Sequence, residues 1–408
     1  MTFSPSDSLF AWLQKPPHQA FLKLLGSQGG EGRFVGSAVR DSLLGRPIHD
    51  FDVATTETPT AMMQLLTKAG CKVLPTGLKH GTLTVHFQGA VYEVTTLRQD
   101  MQTDGRHAKV SFTKDWKEDA SRRDFTMNAL YLDANGQLYD YFGGQDDLAK
   151  GCVRFIGDAS SRVREDFLRI LRFFRFFGRY GKGDFDQESL KACLALKEGL
   201  CRLSRERVAS EVKKIFQGPQ LNTIVTLWIK EDILSLIGGK PAASETLFQA
   251  LSALEQKTMQ GVSWLVRLKT LYGPTCPDFL LERALKKWWQ RVDGLPDVPF
   301  DDLERQFYVW WYQEGPTLAQ ERLWLRLAAF VDTKQMTSAK AATALIDLPK
   351  KAQNLPKKMP LTGLDIKRFA LADGVQVGIL LDKALYCWVE NYCRLPKSEL
   401  LFLLGMRK

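Results

Sequence analysis

Strand-like patterns in this chain of 408 residues stop near residue 155, and that asymmetry restricts its fold more than any other feature. Alternating apolar runs at 72–76, 82–87 and 91–96 predict strands, the last two joined by a Gln-Gly hairpin turn. From about residue 160 onward, apolar residues recur at helical spacing between breaks rich in glycine and proline. We therefore predict an α+β head, a mixed sheet with helices over residues 1–155, followed by an all-helical arm.

The remaining elements of the head are predicted from shorter patterns. Helices are expected at 7–27, 59–69 and 121–131, and short strands at 137–141 and 152–156. Residues 97–118 are polar and charged and show no clear periodicity. A connection this long inside a compact domain is usually functional or mobile.

Residues 34–53 suggest a site for a metal ion and an anion. Phe34 and Val35 end an apolar run, and Gly36 and Ser37 turn the chain into a helix. Glycine lets a ligand approach the main chain, and the free N–H groups of a helix start favour an anion. Arg40, one turn into that helix, adds a fixed positive charge.

Asp50 and Asp52 follow on a predicted strand, where they share one face about 7 Å apart at Cα. Two carboxylates on one face repel each other unless a cation lies between them. Magnesium in phosphoryl-transfer sites is held by one or two carboxylates together with substrate phosphate oxygens. A solvated turn is the alternative, and this stretch alone leaves both interpretations open.

A second polar cluster lies at 118–128. Arg123 and Asp124 side by side would offer a clamp for a phosphate and an acceptor for a ribose hydroxyl. The simpler interpretation is a helix start capped by Asp119 or Ser121, with solvated arginines.

Residues 164–177 predict one strongly amphipathic helix with arginines along one side and phenylalanines on the other. Asp166 and Arg169 are one turn apart, and as an intrahelical ion pair they would contribute only a few tenths of a kcal/mol. Alternatively, the two side chains present an acceptor and donors to the Watson–Crick edge of a base. Cytosine and adenine carry an amine beside a ring acceptor and would fit, whereas guanine and uracil would be refused.

Composition sets broader limits. The net charge of +10 makes a polyanionic partner plausible, and seven scattered cysteines without a Cys-x-x-Cys pair favour a reducing compartment, the cytoplasm. All five histidines precede residue 108, which excludes a histidine-dependent metal hydrolase in the arm. We expect no signal peptide and no membrane partner, because no apolar run of about 18 residues occurs. Five tryptophans at helical spacing predict core packing of the arm: Trp288, Trp289, Trp310, Trp311 and Trp324.

These patterns together resemble a known family. The motifs are Gly-Ser-x-x-Arg-Asp at 36–41, Asp-x-Asp at 50–52, Arg-Arg-Asp-Phe-Thr-x-Asn-Ala at 122–129, Glu-Asp-x-x-Arg at 165–169 and Leu-Ser-Arg-Glu-Arg-Val at 203–208. In this order they resemble the bacterial (class II) tRNA nucleotidyltransferases. These CCA-adding enzymes share a head with bacterial poly(A) polymerases within the polymerase β-like superfamily. Residues 361–400 are also similar to the family's C-terminal helices.

The resemblance implies a role for each matching position. It assigns Gly36, Ser37 and Arg40 to the triphosphate, Asp50 and Asp52 to catalysis and magnesium, Arg123 to the phosphates, Asp124 and Asn128 to the ribose, Asp166 and Arg169 to the base, and Arg172 and Arg175 to the basic face beside them. Glu93 is implied as a possible third carboxylate. Ser37 replaces the family's usual second glycine, and the loop at 104–108 lacks the proline that many members have.

The resemblance also implies a function: template-independent addition of C, C and A to the 3′ end of tRNA from CTP and ATP, with Mg²⁺. It implies a catalytic head at 1–155, a neck with the base-recognition helix at 156–225, a body at 226–335 and a tRNA-binding tail at 336–408. In the family, the loop that residues 97–118 match helps to switch from C to A addition. A poly(A) polymerase, a partial CC- or A-adding enzyme and a non-catalytic RNA-binding protein are the alternatives. We expect a monomer, with a dimer left open.

Overall fold

The computed structural model describes residues 8–103, 108–242, 245–293, 299–370, 374–391 and 393–406. The chain divides into two compact units, Met1–Leu227 and Trp228–Lys408. The finer division into head, neck, body and tail stays a prediction.

The first unit contains all of the described strands. Its elements in chain order are α1 Pro16–Gly26, β1 Gly32–Val35, α2 Ser37–Leu43, β2 Phe51–Thr55, α3 Pro59–Lys68, β3 Lys72–Gly77, β4 Thr82–Phe87, β5 Ala90–Thr96, β6 Arg98–Thr103, β7 Ala108–Phe112, α4 Trp116–Ser121, β8 Leu130–Leu132, β9 Leu138–Asp140, α5 Gly144–Lys150, α6 Ala159–Glu165, α7 Leu168–Tyr180, α8 Gln187–Ala195 and α9 Arg205–Ile215. Short 3-10 helices lie at Ser8–Gln14, Leu78–His80, Thr126–Asn128 and Lys197–Arg202.

Seven of the described strands form one mixed sheet in the order β3-β4-β5-β2-β1-β8-β9. The β2–β5 pair is parallel and the other neighbours are antiparallel. The predicted hairpin between β4 and β5 is confirmed, with Gln88 and Gly89 both at positive φ. The parallel β2–β5 register places Asp52 opposite Glu93.

Both faces of this sheet are covered. On one face, α1 brings His18 and Phe21 against Phe34, Phe51 and Tyr92. Burial, together with the charge of Lys15, lowers the pKa of His18, and its Nδ1 lies 2.9 Å from the hydroxyl of Tyr92. The other face carries a second buried cluster, which includes Val35, Ala54, Trp116 and Tyr131. Strand β2, which carries Asp52, thus lies between two buried clusters.

The second unit is helical throughout its described residues, as predicted for the arm. After α10 Leu221–Lys230, which crosses the boundary, the helices are α11 Ile233–Gly238, α12 Glu245–Thr258, α13 Trp264–Tyr272, α14 Arg283–Asp293, α15 Leu303–Glu314, α16 Pro316–Asp332, α17 Ser338–Gln353, α18 Gly363–Ala370, α19 Val375–Glu390 and α20 Lys397–Leu403, with a 3-10 turn at Phe300–Asp302. Trp289, Trp310 and Trp324 are buried, and Trp288 and Trp311 pack partly buried against the core. No helix among the described residues is both long enough and apolar enough to cross a membrane.

Residues 97–118 are more regular than their sequence predicts. β6 and β7 form an antiparallel pair, because two polar strands can still satisfy each other's backbone N–H and C=O groups. The loop positions 104–107, where the family's proline is missing, lie outside the described residues.

The predicted helix over 121–131 is wrong. The N–H of Thr126 binds the carbonyl of Arg154 at 3.1 Å, and the N–H of Ile156 binds the carbonyl of Asp124 at 3.1 Å. These long-range bonds replace intrahelical ones, so α4 ends at Ser121 and a 3-10 turn leads into β8. The predicted strand at 152–156 is accordingly reduced to one bridge between Phe125 and Phe155.

Two further helices are broken where the sequence predicts continuity. The helix predicted over 7–27 is interrupted at Lys15, and α1 begins at Pro16, because proline disfavours helical geometry in the residue before it. The amphipathic helix at 164–177 is split at Asp166, whose backbone is extended and whose carboxylate accepts the N–H of Leu168 at 3.1 Å. This break ends α6 and places Asp166 at the start of α7.

Candidate active site

One cavity of about 480 Å³ in the first unit collects the predicted site residues. Every one of them lines it except Asp50: Gly36, Ser37, Arg40, Asp52, Arg123, Asp124, Asn128, Asp166, Arg169, Arg172 and Arg175. Leu168, Phe176 and Arg207 complete the lining without having been predicted. The sequence patterns, separated by more than a hundred residues, therefore converge on a single place.

The turn at Gly36 and Ser37 lines the cavity next to Asp52. Gly36 precedes α2 with φ +69°, and a Cβ there would lie 3.9 Å from Oδ2 of Asp52. That distance is an ordinary van der Waals contact, so the positive φ, at which a side chain is strained, explains the glycine. The hydroxyl of Ser37 lies 3.4 Å from both Oδ2 of Asp52 and the carbonyl oxygen of Asp50. The turn thereby joins the start of α2 to the start of β2.

The carboxylate pair sits where β2 begins. Asp52 is the second residue of the strand, and Asp50 precedes the strand by one residue. Burial raises the pKa of Asp52, with further contributions from Glu93 and Asp50, while Arg123 and the Ser37 hydrogen bond act in the opposite direction. Negative charge therefore accumulates at this end of the cavity.

A divalent cation fits this donor set. Neither Asp50 nor Asp52 has a cationic salt-bridge partner among the described residues, and Ser37 supplies an additional oxygen. Among those residues no cluster of three or more His, Cys, Asp or Glu side chains forms a closed metal site. Magnesium needs no such cluster, because it commonly takes one or two carboxylates and completes its shell with water and phosphate oxygens.

A buried polar chain runs along the cavity from α2 to α7. Arg40 donates to Oδ1 of Asp41 at 3.0 Å and to Oδ1 of Asn128 at 2.6 Å. The amide nitrogen of Asn128 donates to Oδ1 of Asp124 at 2.9 Å, and Arg172 donates to Oδ2 of Asp124 at 2.7 Å. Arg40 is thus buried and paired instead of projecting freely toward an anion.

Asp119 organises another wall of the cavity, and the simpler interpretation, a helix start capped by Asp119 or Ser121, is wrong because Asp115 caps α4. Its buried carboxylate accepts hydrogen bonds from four groups: the side chains of Arg122, Arg123 and Tyr131 and the N–H of Arg98 at the start of β6. Burial alone raises the pKa of Asp119, but the charges of Arg123 and Arg122 outweigh it and lower the pKa to about 2. Sequence reasoning missed this role, although an acidic residue one turn before two arginines was a usable signal.

The base-reading candidates face the same cavity without pairing with each other. Oδ2 of Asp166 accepts from Arg207 of α9 at 2.6 Å. Arg169 donates to the carbonyl of Arg162 at 2.8 Å and forms an ion pair with Glu165. Asp166 and Arg169 are therefore held in place by separate partners, Arg207 and Glu165. The sequence did not reveal the contribution of Arg207.

All six arginines of the cavity have carboxylate partners. Besides the pairs above, Nε of Arg175 lies 2.8 Å from Glu211, which is buried on α9. Guanidinium groups held in this way are oriented before a ligand binds, so little ordering remains to be done upon binding.

Comparison with known proteins defines the class. The sequence profile of the Poly A polymerase head domain matches residues 32–154, the part of the chain that holds the seven-stranded sheet and half of the residues that line the cavity. With the mixed sheet and the helical second unit, this identifies a nucleotidyltransferase with a polymerase-type head.

The particular family follows from similarity along the whole chain. The protein is 34% identical to the mitochondrial CCA tRNA nucleotidyltransferase 1 of Homo sapiens over 97% of this chain and 94% of that protein. It is 43% identical to the CCA-adding enzyme of Oceanobacillus iheyensis over 54% of this chain and 55% of that enzyme. The structure of the Bacillus stearothermophilus CCA-adding enzyme in complex with CTP superposes with a TM-score of 0.68 and 25% identity, over 93% of this chain and 94% of that one. The chain belongs to the CCA tRNA nucleotidyltransferase family, and the predicted fold is confirmed.

Proposed function

We propose that this protein adds C, C and A to the 3′ end of tRNA from CTP and ATP without a nucleic-acid template. One observation carries the proposal: a single cavity is lined by Asp52, by Asp166 with Arg169, and by arginines that are all paired with carboxylates. The relatives that match most of the chain bear the names of CCA-adding enzymes, which supports the same activity here.

In this proposal Asp50 and Asp52 hold Mg²⁺. The bound metal would lower the pKa of the RNA 3′-hydroxyl and neutralise charge on the departing pyrophosphate. Gly36 lets phosphate oxygens approach the main chain, and Ser37 orients the Asp52 carboxylate through its hydroxyl. A metal–triphosphate ligand would bring a cation and an anion together. This suits the site, because its arginines are already paired with carboxylates, whereas Asp50 and Asp52 have no cationic salt-bridge partner among the described residues.

The arginines would position the nucleotide. Arg123 reaches the cavity from the wall built on Asp119, and Arg172 reaches it from α7 across Asp124. We assign phosphate binding to Arg123 together with Arg40 and Arg175. Asp124 and Asn128 would orient the ribose, because their mutual hydrogen bond fixes both side chains before the nucleotide arrives.

Base choice would rest on Asp166 and Arg169. Asp166 keeps free lone pairs after binding Leu168 and Arg207, and these can accept the exocyclic amine of cytosine or adenine. Arg169 retains donors for the neighbouring ring nitrogen. Because Arg207 and Glu165 hold the two side chains independently, the reading geometry does not depend on an ion pair between them.

Replacing Asp166 by alanine should relax base choice. The preference for C and A over G and U should fall roughly tenfold to a hundredfold, as expected when one hydrogen-bonding group of a base-reading pair is lost. Single-nucleotide incorporation with each triphosphate measures this. Asp184→Ala, which removes an exposed aspartate of the same unit, is the matched control. An unchanged preference in Asp166→Ala, with Mg²⁺-dependent incorporation intact, would refute the assignment.

The function itself is tested with tRNA transcripts that end at the discriminator base, at C and at CC. Each transcript receives single nucleoside triphosphates and then CTP with ATP, and the products are sequenced. We expect completion to CCA and no further growth. Long A tails would indicate a poly(A) polymerase, arrest at CC a partial enzyme, and an absence of incorporation a non-catalytic RNA-binding protein.

We further propose that the tail at 336–408 contacts the tRNA and that the protein works as a monomer in a reducing compartment, the cytoplasm. None of the seven cysteines, all of which are among the described residues, forms a disulfide, which supports the compartment. The human relative is named as mitochondrial, so fractionation of cells of the source organism is the direct test of location. Light scattering at micromolar concentration would distinguish a monomer from a dimer.

A further inference from the structure

A second cavity, of about 270 Å³, adjoins the nucleotide cavity near the C-terminal end of α7. Arg175 and Phe176 line both cavities, so the two spaces are neighbours across these side chains. Nothing in the nucleotide-binding role assigned above uses the second space.

Packing between α7 and the turn after α9 fixes the shape of this space. The N–H of Gln220 donates to the carbonyl of Gly178 at 3.2 Å, which ties residues 217–220 to α7. Gly218 lies so close to α7 that a Cβ there would stand 3.2 Å from the Gly178 oxygen. The cavity is therefore part of the fold of the first unit.

Two exposed cations line this cavity, and a third lies against residues of its lining. Arg179 and Lys214, exposed in the last turns of α7 and α9, line it. Arg46, exposed in the segment before β2, donates both terminal nitrogens to the carbonyl of Arg179 at 3.2 Å. The guanidinium carbons of Arg46 and Arg179 lie 4.9 and 5.5 Å from the centre of the same ring, that of Tyr180.

The charge balance distinguishes this cavity from its neighbour. In the described part of the chain, Arg46, Arg179 and Lys214 form no salt bridge with a carboxylate, whereas every arginine of the nucleotide cavity has one. Basic residues in a last turn also stabilise the helix dipole, which alone could explain Arg179 and Lys214. A helix dipole does not explain why Arg46, a third cation, is held against the carbonyl of Arg179 and the ring of Tyr180. It also does not explain why the described lining of the cavity includes no acidic residue.

We propose that this second cavity binds a phosphate group during the reaction, either a backbone phosphate of the RNA beside its 3′ end or the released pyrophosphate. The inference rests on the proposed function, which supplies both sources. Exposed arginine and lysine side chains bind phosphate through charge-assisted hydrogen bonds, and such contacts position a nucleic acid without reading its sequence.

The test compares the double variant Arg179→Gln/Lys214→Gln with Lys213→Gln, which removes a neighbouring exposed charge of α9 that does not line the cavity. If the RNA backbone is the ligand, the Kd for tRNA lacking its CCA end should rise about tenfold and the slope of log Kd against log salt should fall by about 1 to 2. If pyrophosphate is the ligand, the concentration that inhibits incorporation by half should rise instead, with tRNA binding unchanged. Fluorescence anisotropy and inhibition by added pyrophosphate measure the two.

A double variant that matches Lys213→Gln in both measurements would overturn the proposal. A lower Tm with unchanged binding would do the same, because it would reduce the cations to stabilisers of helix ends. The proposed function fails separately, since an unaltered protein that incorporates no nucleotide would refute it while tRNA binding could still be measured.

Discussion

Replacing Asp52 by asparagine should reduce nucleotide incorporation by about a thousandfold or more, while the protein stays as stable as before or becomes more stable. A metal-binding carboxylate supports several kcal/mol of charge stabilisation in the transition state, and about 1.4 kcal/mol corresponds to a factor of ten. The free energy of unfolding should not fall with the activity, because burial, Glu93 and Asp50 raise the pKa of Asp52. A group whose pKa is raised on folding costs stability when it is charged at neutral pH, so its neutral isostere removes that cost.

Single-turnover incorporation of C into a tRNA ending at the discriminator base measures the loss, and thermal unfolding at pH 7 measures stability. Binding of Mn²⁺ in the presence of a nucleotide, followed by electron paramagnetic resonance, gives a readout independent of activity and should weaken. Asp184→Asn, on the exposed surface, controls for the loss of one negative charge. A fall in Tm that accompanies the fall in activity would contradict the explanation, since it would make Asp52 a structural residue.

The second large effect is expected at Asp119. Its replacement by asparagine should lower the free energy of unfolding of the first unit by about 3–5 kcal/mol, the range for removing one partner of a buried ion pair. The buried guanidinium of Arg123 would lose its carboxylate, and the amide NH2 that replaces one carboxylate oxygen would face donors, among them Arg123 and the hydroxyl of Tyr131. Because Arg123 also lines the nucleotide cavity, the KM for CTP should rise as well.

Hydrogen exchange of the sheet amides in urea isolates the first unit from the second. Asp146→Asn is the matched control, since Asp146 is exposed and its replacement should change stability by less than about 0.5 kcal/mol. A change at Asp119 as small as this control would show that water compensates the arginines and would refute the role assigned to Asp119.

The stability of the first unit should also depend on pH through Asp119 and Asp124. The pKa of each falls to about 2 from a usual value of 3.8; burial opposes both shifts, but arginine partners outweigh it. A lowered pKa stabilises the folded state above the unfolded-state pKa, and this contribution is lost as pH falls from about 4 to 2. Each group should contribute about 2 kcal/mol over that window. The loss should be smaller in Asp119→Asn, and an identical acid titration in both proteins would contradict the assignment.

Local patterns predicted most of this fold. The hairpin between β4 and β5 was readable because Gln88 and Gly89 sit between two alternating runs, and its turn needs nothing from the rest of the chain. The residues that line the cavity were found because their types and spacing match chemical requirements, and the resemblance to a family joined the separate motifs.

The errors have two causes: competition from distant partners at 121–131 and at Arg207, and local breaks of a helix at Pro16 and Asp166. The N–H of Thr126 donates to the carbonyl of Arg154 and that of Ile156 to the carbonyl of Asp124, so residues 121–131 do not form the helix that their pattern favours. Asp166 ends one helix and starts the next because its carboxylate accepts a backbone N–H. Arg207 was invisible as a support for Asp166, since 41 residues separate them and only the fold brings α9 to α7.

The break at Asp166 has a consequence for accuracy. A polymerase that copies a strand takes its instructions from outside, and its errors depend on the pairing of bases. In the proposed reaction the instruction is a pair of side chains at a helix junction, each restrained by one partly exposed ion pair. Conditions that weaken these two ion pairs, such as heat or concentrated salt, should therefore increase the incorporation of wrong nucleotides before they stop nucleotide addition.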